Sequence, residues 1–224
     1  MRPAREWGGG ATRRRPATHA RLLSVMDVVF NSIYARACMG AGLAVLSGLR
    51  AFIPIAFVAL YSRLEFASAP VLEGTPFAFL EKTWVIALLF ALAIIEIAVD
   101  KMPALARTND QVMRPIKIVL GGVVFAAVMA PQGWIAMTVC GILGLLIAGV
   151  ADHAARSLRP DSSKDAGPAI FLSIYEDVAV LIGTLVFVLL PLIGALLTLF
   201  LVLLVYRIQR RRRRKHKGLR ILRG

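Results

Sequence analysis

The stretch ARACMGAGLAVLSGLRAFIPIAFVALY, residues 35–61, decides how this chain folds. It is apolar and long enough, at about 20 residues per crossing, for one tilted membrane span or for a broken helix. Gly40, Ala44 and Gly48 recur every fourth residue and make a smooth face on which another helix can approach closely. Gly48, Arg50 and Pro54 then follow together. Proline removes a backbone donor and disturbs the preceding turn. An arginine in the middle of a span is costly unless it faces a partner or a wet cavity. The first helix is therefore expected to break between Gly48 and Pro54.

The whole sequence suits a membrane setting. Of its 224 residues 58% are hydrophobic and 18% charged, and the mean hydropathy is +0.72. A soluble domain is usually less apolar and more charged. The formal net charge is +14, but much of the excess is terminal, in Arg2, Arg5, Arg13, Arg14, Arg15 and Arg21 and in RIQRRRRRKHKGLRILRG at residues 207–224. Basic residues that flank spans set orientation and touch anionic headgroups, so lipid rather than nucleic acid is the expected partner. Cys38 and Cys140 lie far apart in apolar runs and suggest neither a disulfide framework nor a zinc site.

Residues 1–32 read as a basic, disordered cytoplasmic arm without the apolar core and cleavage site of a signal peptide. Met26 is an alternative start, and an organelle transit peptide is a weaker reading of the same arm. Residues 33–206 form the transmembrane domain, and 207–224 a basic cytoplasmic tail. Residues 62–83 hold Pro, Gly and acids and read as a loop with a short interfacial segment. Trp84 anchors a span to Val99, and the next runs from Arg114 to Ala130. Pro131, Gln132 and Gly133 make a tight turn before Trp134 anchors a span to about Ala151, whose helix continues into the polar loop 152–168. Residues 169–206 would reach roughly 55 Å as one helix, more than the hydrocarbon layer, so the chain turns back near Pro191 and Gly194. The fold class is all-α, a polytopic transmembrane bundle of about six spans. Lys and Arg alternate between connections so as to place both termini in the cytoplasm of a bacterial inner membrane. A three-plus-three inverted repeat does not superpose the acids of spans two and five.

That topology gathers Glu96, Asp100, Lys101, Asp110, Arg114, Asp152, His153, Arg156, Glu176 and Asp177 at or just beneath the cytoplasmic face. Glu96 and Asp100 share a helix face, and Asp152 and Arg156 have the spacing of a local ion pair. Lys101, Arg107, Arg156 and Arg159 read as residues that snorkel and orient helices. Glu96, Glu176 and Asp177 have apolar sequence around them, and ionisable groups so placed point to function.

GLRAFIP at residues 48–54, E-x-x-x-D-K-x-P at 96–103, D-x-x-x-R-P at 110–115 with Gly121-Gly122 behind it, and the later His153 and Glu176-Asp177 resemble the bacterial integral-membrane family catalogued as domain of unknown function 4126. The resemblance covers roughly residues 36–190 and leaves out both basic ends. Where the family pattern continues D-K-x-P-x-x-D, this chain has Arg107-Thr108-Asn109-Asp110 slightly downstream. The resemblance implies a polytopic membrane setting and no activity.

Three functions compete. A small transporter or permease-like carrier would use Arg50 to meet an anionic group and Glu96, Asp100 and Glu176 to relay protons or hold a cation. An assembly or scaffold protein would use the glycine faces for helix partners, a second copy included, and the basic tail for lipid. A lipid-headgroup enzyme would gather carboxylates and His153 around Mg²⁺ or Mn²⁺, but no paired-aspartate, zinc-helix, nucleophile-elbow or phosphate-loop motif supports it. No cofactor is expected.

Overall fold

The computed structural model describes residues 32–65, 69–158 and 166–191, with Leu196 and Arg207, and the side chains of these except 103–110, 158 and 166–170. Apart from Ser32, Leu196 and Arg207, the expected basic arm, the sixth span and the basic tail lie outside the described residues. Among the described residues the chain is all-helical: α1 (Ile33–Leu49), α2 (Phe52–Arg63), α3 (Thr83–Asp100), α4 (Pro103–Met129), α5 (Trp134–Leu158) and α6 (Ala166–Leu189). Among the described residues four segments, Thr83–Asp100, Gln111–Gln132, Trp134–Ser157 and Phe171–Leu189, are long and apolar enough to cross a membrane. This is a membrane protein.

The break after α1 is where the sequence places it, and Pro54 fixes its position. In a continuing helix the Pro54 ring would collide with the carbonyl of the residue four before it, which is Arg50. The backbone there turns extended, with φ −130° and ψ 121° at Arg50, and returns to helical values at Ala51. Pro54 thus becomes the third residue of α2, where no intrahelical donor is required.

Neighbouring contacts show that the break reverses the chain. The α1 residues Ala37 and Ala41 and the α5 residues Ala136 and Cys140, near its start, pack against the same buried cluster of Ala44, Phe125 and Met129, and Gly48 packs against Ala148, Ala151 and Asp152 near the end of α5. Helix α1 therefore runs parallel to α5. Helix α2 begins beside Glu96 near the end of α3, and Ser62 bonds Glu81 just before its start, so α2 is antiparallel to α3. The two apolar helices form a V whose tip, Gly48–Ala51, lies at the end of the bundle where α3 finishes. Of the two readings open for residues 35–61, one tilted span or a broken helix, the structure has the broken helix, and the segment returns to the end from which it came. At 12 residues α2 reaches only about 18 Å. The connection after it completes the layer by folding back, with Leu72 and Leu80 buried and a short 3-10 turn at Ala78–Glu81.

Helix α1 is the central strut, with α4, α5 and α6 around it. Its contact with α5 is close because Gly48 has no side chain: a Cβ there would stand 2.5 Å from the Ala148 carbonyl oxygen. Gly121 does the same for α4 and α5, where a Cβ would stand 2.4 Å from that of Ala148. Such approach suits lipid, where packing rather than hydrophobic exclusion drives helices together.

Helix α4 starts at Pro103, leaving only Lys101 and Met102 as the link. The expected polar connection up to Arg114 is helical, because Pro103 sits at the first turn, where its missing donor costs nothing, and Ala104, Leu105 and Ala106 favour helix. Helix α5 continues to Leu158 as its sequence suggests, and α6 ends at Leu189, just before Pro191.

Candidate functional site

The tip of the V is held by one face of α3. The first residues of any helix carry backbone donors without intrahelical partners. At the start of α2, Ala51 N–H donates to Glu96 Oε1 at 2.9 Å and Phe52 N–H to Oε2 at 3.2 Å. Pro54 has no donor to satisfy. Glu96, 1% exposed, is thereby bound as an anion at a helix N-terminus, where the aligned peptide dipoles present roughly half a positive charge.

One turn further along α3, Asp100 takes the side chain of the tip. Arg50 Nη2 lies 2.7 Å from Asp100 Oδ2 and donates to Ser173 Oγ at 2.9 Å. The Ser173 hydroxyl donates to the same Asp100 oxygen at 2.7 Å. Arg50 Nε stands 2.6 Å from Asp177 Oδ1, a close ion pair whose N–H is not aimed along a hydrogen bond. The other Asp177 oxygen accepts from Lys101 Nζ at 2.6 Å. Two cations and two carboxylates alternate, so the network is neutral. Side-chain exposure rises from 1% at Arg50 and 7% at Asp100 through 14% at Asp177 to 34% at Lys101, so the network reaches the surface by way of Asp177 and Lys101.

Buried charges are tolerated when paired and hydrogen-bonded on all sides, and removing one partner is costly. Arg50 is paired on two sides, with hydrogen bonds at Nη2 and an ion pair alone at Nε, because it sits level with the end of α3 and not in the middle of a crossing, as the sequence led one to expect. The motif G-L-R-x-x-x-P and the motif E-x-x-x-D-K-x-P are thus two halves of one contact. Pro54 breaks the helix, Glu96 takes the freed amides, and Asp100 takes the arginine.

A second cluster lies at the seam of α4 and α5. Both oxygens of Asp152 accept from Arg156, through Nη2 and, at 3.2 Å, through Nε. Arg114 Nε approaches the same carboxylate at 3.7 Å. The expected local pair of Asp152 and Arg156 is therefore present, joined by Arg114 from the neighbouring helix.

Of the residues expected at the site, Arg50, Glu96, Asp100, Lys101 and Asp177 come together around the tip, while Arg114 and Asp152 belong to the second cluster. Glu176 is buried on α6 beside Asp177. His153 is exposed at the end of α5 and joins neither network. Asp110 lies in α4, and its side chain is outside the described residues. Among the described residues no three His, Cys, Asp or Glu side chains gather as a metal ion would require. Sequence reasoning missed Ser173. Its one signal was its place four residues before Asp177, on the same helix face. It also passed over Lys117, 4% exposed, and Arg36, 7% exposed, each a charge set among apolar neighbours in sequence.

The model of the family described as Domain of unknown function (DUF4126) matches residues 37–211. No curated protein and no solved structure matches the chain.

Proposed function

We propose that this chain, which belongs to the DUF4126 family, is a small carrier of the bacterial plasma membrane whose gate is the tip of the α1–α2 hairpin. The observation that carries the reading is a helix broken at one end of the bundle, with its buried tip among ionised side chains. Discontinuous helices that present a half-helix N-terminus and a charged residue are the usual substrate sites of transporter folds. In this chain the amides of Ala51 and Phe52 and the Arg50 guanidinium form an anion-binding tip, and Glu96, Asp100 and Asp177 occupy it. A substrate anion would exchange with these internal carboxylates, entering by way of Lys101 and Asp177. Protonation of a displaced carboxylate would keep the exchange neutral.

The end of the bundle that holds the tip faces the cytoplasm in this reading, because Lys101, Arg114, Lys117 and Arg156 are concentrated there and basic residues favour that side. With residues 35–61 returning on themselves, Ser32 opens at the other end. Counting crossings therefore no longer requires both termini on one side.

The test is uptake of a panel of radiolabelled monocarboxylates and inorganic phosphate by proteoliposomes. Arg50→Ala and Glu96→Gln should abolish Arg50-dependent uptake in protein that is still inserted and folded, and Ser173→Ala should slow it. Wild-type rates in all three variants would remove the proposal. A second reading, an assembly protein in which the same network only pins the hairpin, is favoured by the 1% exposure of Arg50. It is supported instead if the variants lose stability and no anion on the panel is moved by the wild type.

A further inference from the structure

We propose that Arg114 and Arg156 form a binding site for the phosphate of an anionic phospholipid, on the outside of the bundle at the seam of α4 and α5. This site is separate from the carrier tip and does not depend on that reading. Among the described side chains, the guanidinium groups of Arg114 and Arg156 share the one carboxylate of Asp152, which leaves one positive charge in excess there. The sharing is unequal. Arg156 holds both carboxylate oxygens, whereas Arg114 reaches one of them only at 3.7 Å, with its side chain 56% exposed. The outer nitrogens of Arg114 thus remain available as a planar fork, the geometry that matches a phosphate with paired hydrogen bonds.

Position selects lipid as the source of that phosphate. Arg114 lies near the start of the crossing segment Gln111–Gln132, and Arg156 next to the last residue of Trp134–Ser157, so both sit at the depth of headgroups. On the membrane side of them the same two helices expose Val119 (53%), Leu146 (62%) and Val150 (70%). Acyl chains would lie along these apolar side chains while the headgroup meets the arginines. Basic pockets between transmembrane helices recognise anionic headgroups in this way. The Asp152 backbone also backs onto Gly48, which places the lipid directly behind the hairpin tip.

The full chain in mixed micelles, titrated with phosphatidylglycerol or phosphatidylcholine and read by native mass spectrometry, tests the site. The wild type should retain phosphatidylglycerol preferentially. Arg114→Ala should weaken that binding about fivefold, the equivalent of one basic residue at a membrane surface, and the Arg114→Ala/Arg156→Ala pair should weaken it further. Asp152→Asn, which keeps the shape and frees both guanidinium groups, should tighten it. This gain cannot arise from misfolding. The basic tail is common to all variants and cancels in the comparison. Unchanged phosphatidylglycerol binding in Arg114→Ala together with no gain in Asp152→Asn would overturn the proposal. So would displacement of the lipid by equimolar inorganic phosphate, which would mark a site for a soluble anion.

Discussion

Replacing Glu96 with Gln is the sharpest perturbation of the hairpin tip, because the two side chains have the same shape and differ only in what they can accept. The carboxylate receives two backbone N–H groups, at 2.9 Å and 3.2 Å. A glutamine offers one carbonyl oxygen, and its NH2 would face the second donor. That donor, buried without a partner, costs about 1–3 kcal/mol. The surviving bond weakens by about 1 kcal/mol as its acceptor loses charge. The favourable interaction with the helix N-terminus, about 0.3–1 kcal/mol, is also lost. Relief from burying a charge offsets part of this, for a net of about 2–4 kcal/mol. Read as local opening, amide exchange at Ala51 and Phe52 should then accelerate roughly 30- to 1000-fold, since each 1.4 kcal/mol is about tenfold. Hydrogen–deuterium exchange of the protein in nanodiscs, followed in peptides spanning residues 48–55, provides the measurement. Glu96→Asp, one methylene shorter, keeps the charge but cannot span both amides and should fall between. Unchanged exchange in Glu96→Gln, with an unchanged thermal midpoint, would falsify the account of the tip.

Arg50→Met leaves the buried Asp100 and the partly exposed Asp177 without their shared cation and should cost about 3–5 kcal/mol in thermal or denaturant unfolding; adding Asp100→Asn should recover part of the loss, as a double-mutant cycle would show. Arg50→Lys keeps the charge but cannot reach Asp100, Ser173 and Asp177 together, so its stability should lie between wild type and Arg50→Met. Ser173→Ala removes a hydroxyl that bonds both Arg50 and Asp100 and should cost about 1–3 kcal/mol. Gly48→Ala would press a methyl to 2.5 Å from a carbonyl oxygen and 2.8 Å from Ala151 Cβ, and should destabilise by about 1–3 kcal/mol. Gly149→Ala, on the same helix as Ala148 and Ala151, meets nothing closer than 3.8 Å and should be neutral or stabilising by up to about 1 kcal/mol. Melting curves of the purified pair would check the contrast.

Several features of the site were legible because they are local. The pairing of Asp152 with Arg156 follows from helical spacing, and the unusual burial of Glu96 from the apolar residues on either side of it. What Glu96 binds was not legible. An acid one turn from Asp100 looks like a second partner for Arg50, yet the structure gives it to two backbone amides. The orphan donors it satisfies exist only because Pro54, far away in sequence, has started a new helix beside it. Ser173 went unnoticed for a similar reason, since a serine in an apolar helix carries no mark of the arginine that will face it.

The sequence by itself determined that this chain lives in lipid, that its helices stop near Pro54, Pro131 and Pro191, and that its charges crowd toward one end of the spans. Hydropathy and the covalent geometry of proline are properties of neighbouring residues, and they act before any helix meets another. Only the tertiary structure decided that the chain reverses at Arg50, which brings that arginine to the end of the bundle instead of its middle, and which acid each cation takes. A lipid-facing and a protein-facing apolar surface read alike along the chain. The choice between them rests on close packing at residues such as Gly48 and Gly121 and on charge pairs across long sequence separations, and both exist only once the helices are assembled.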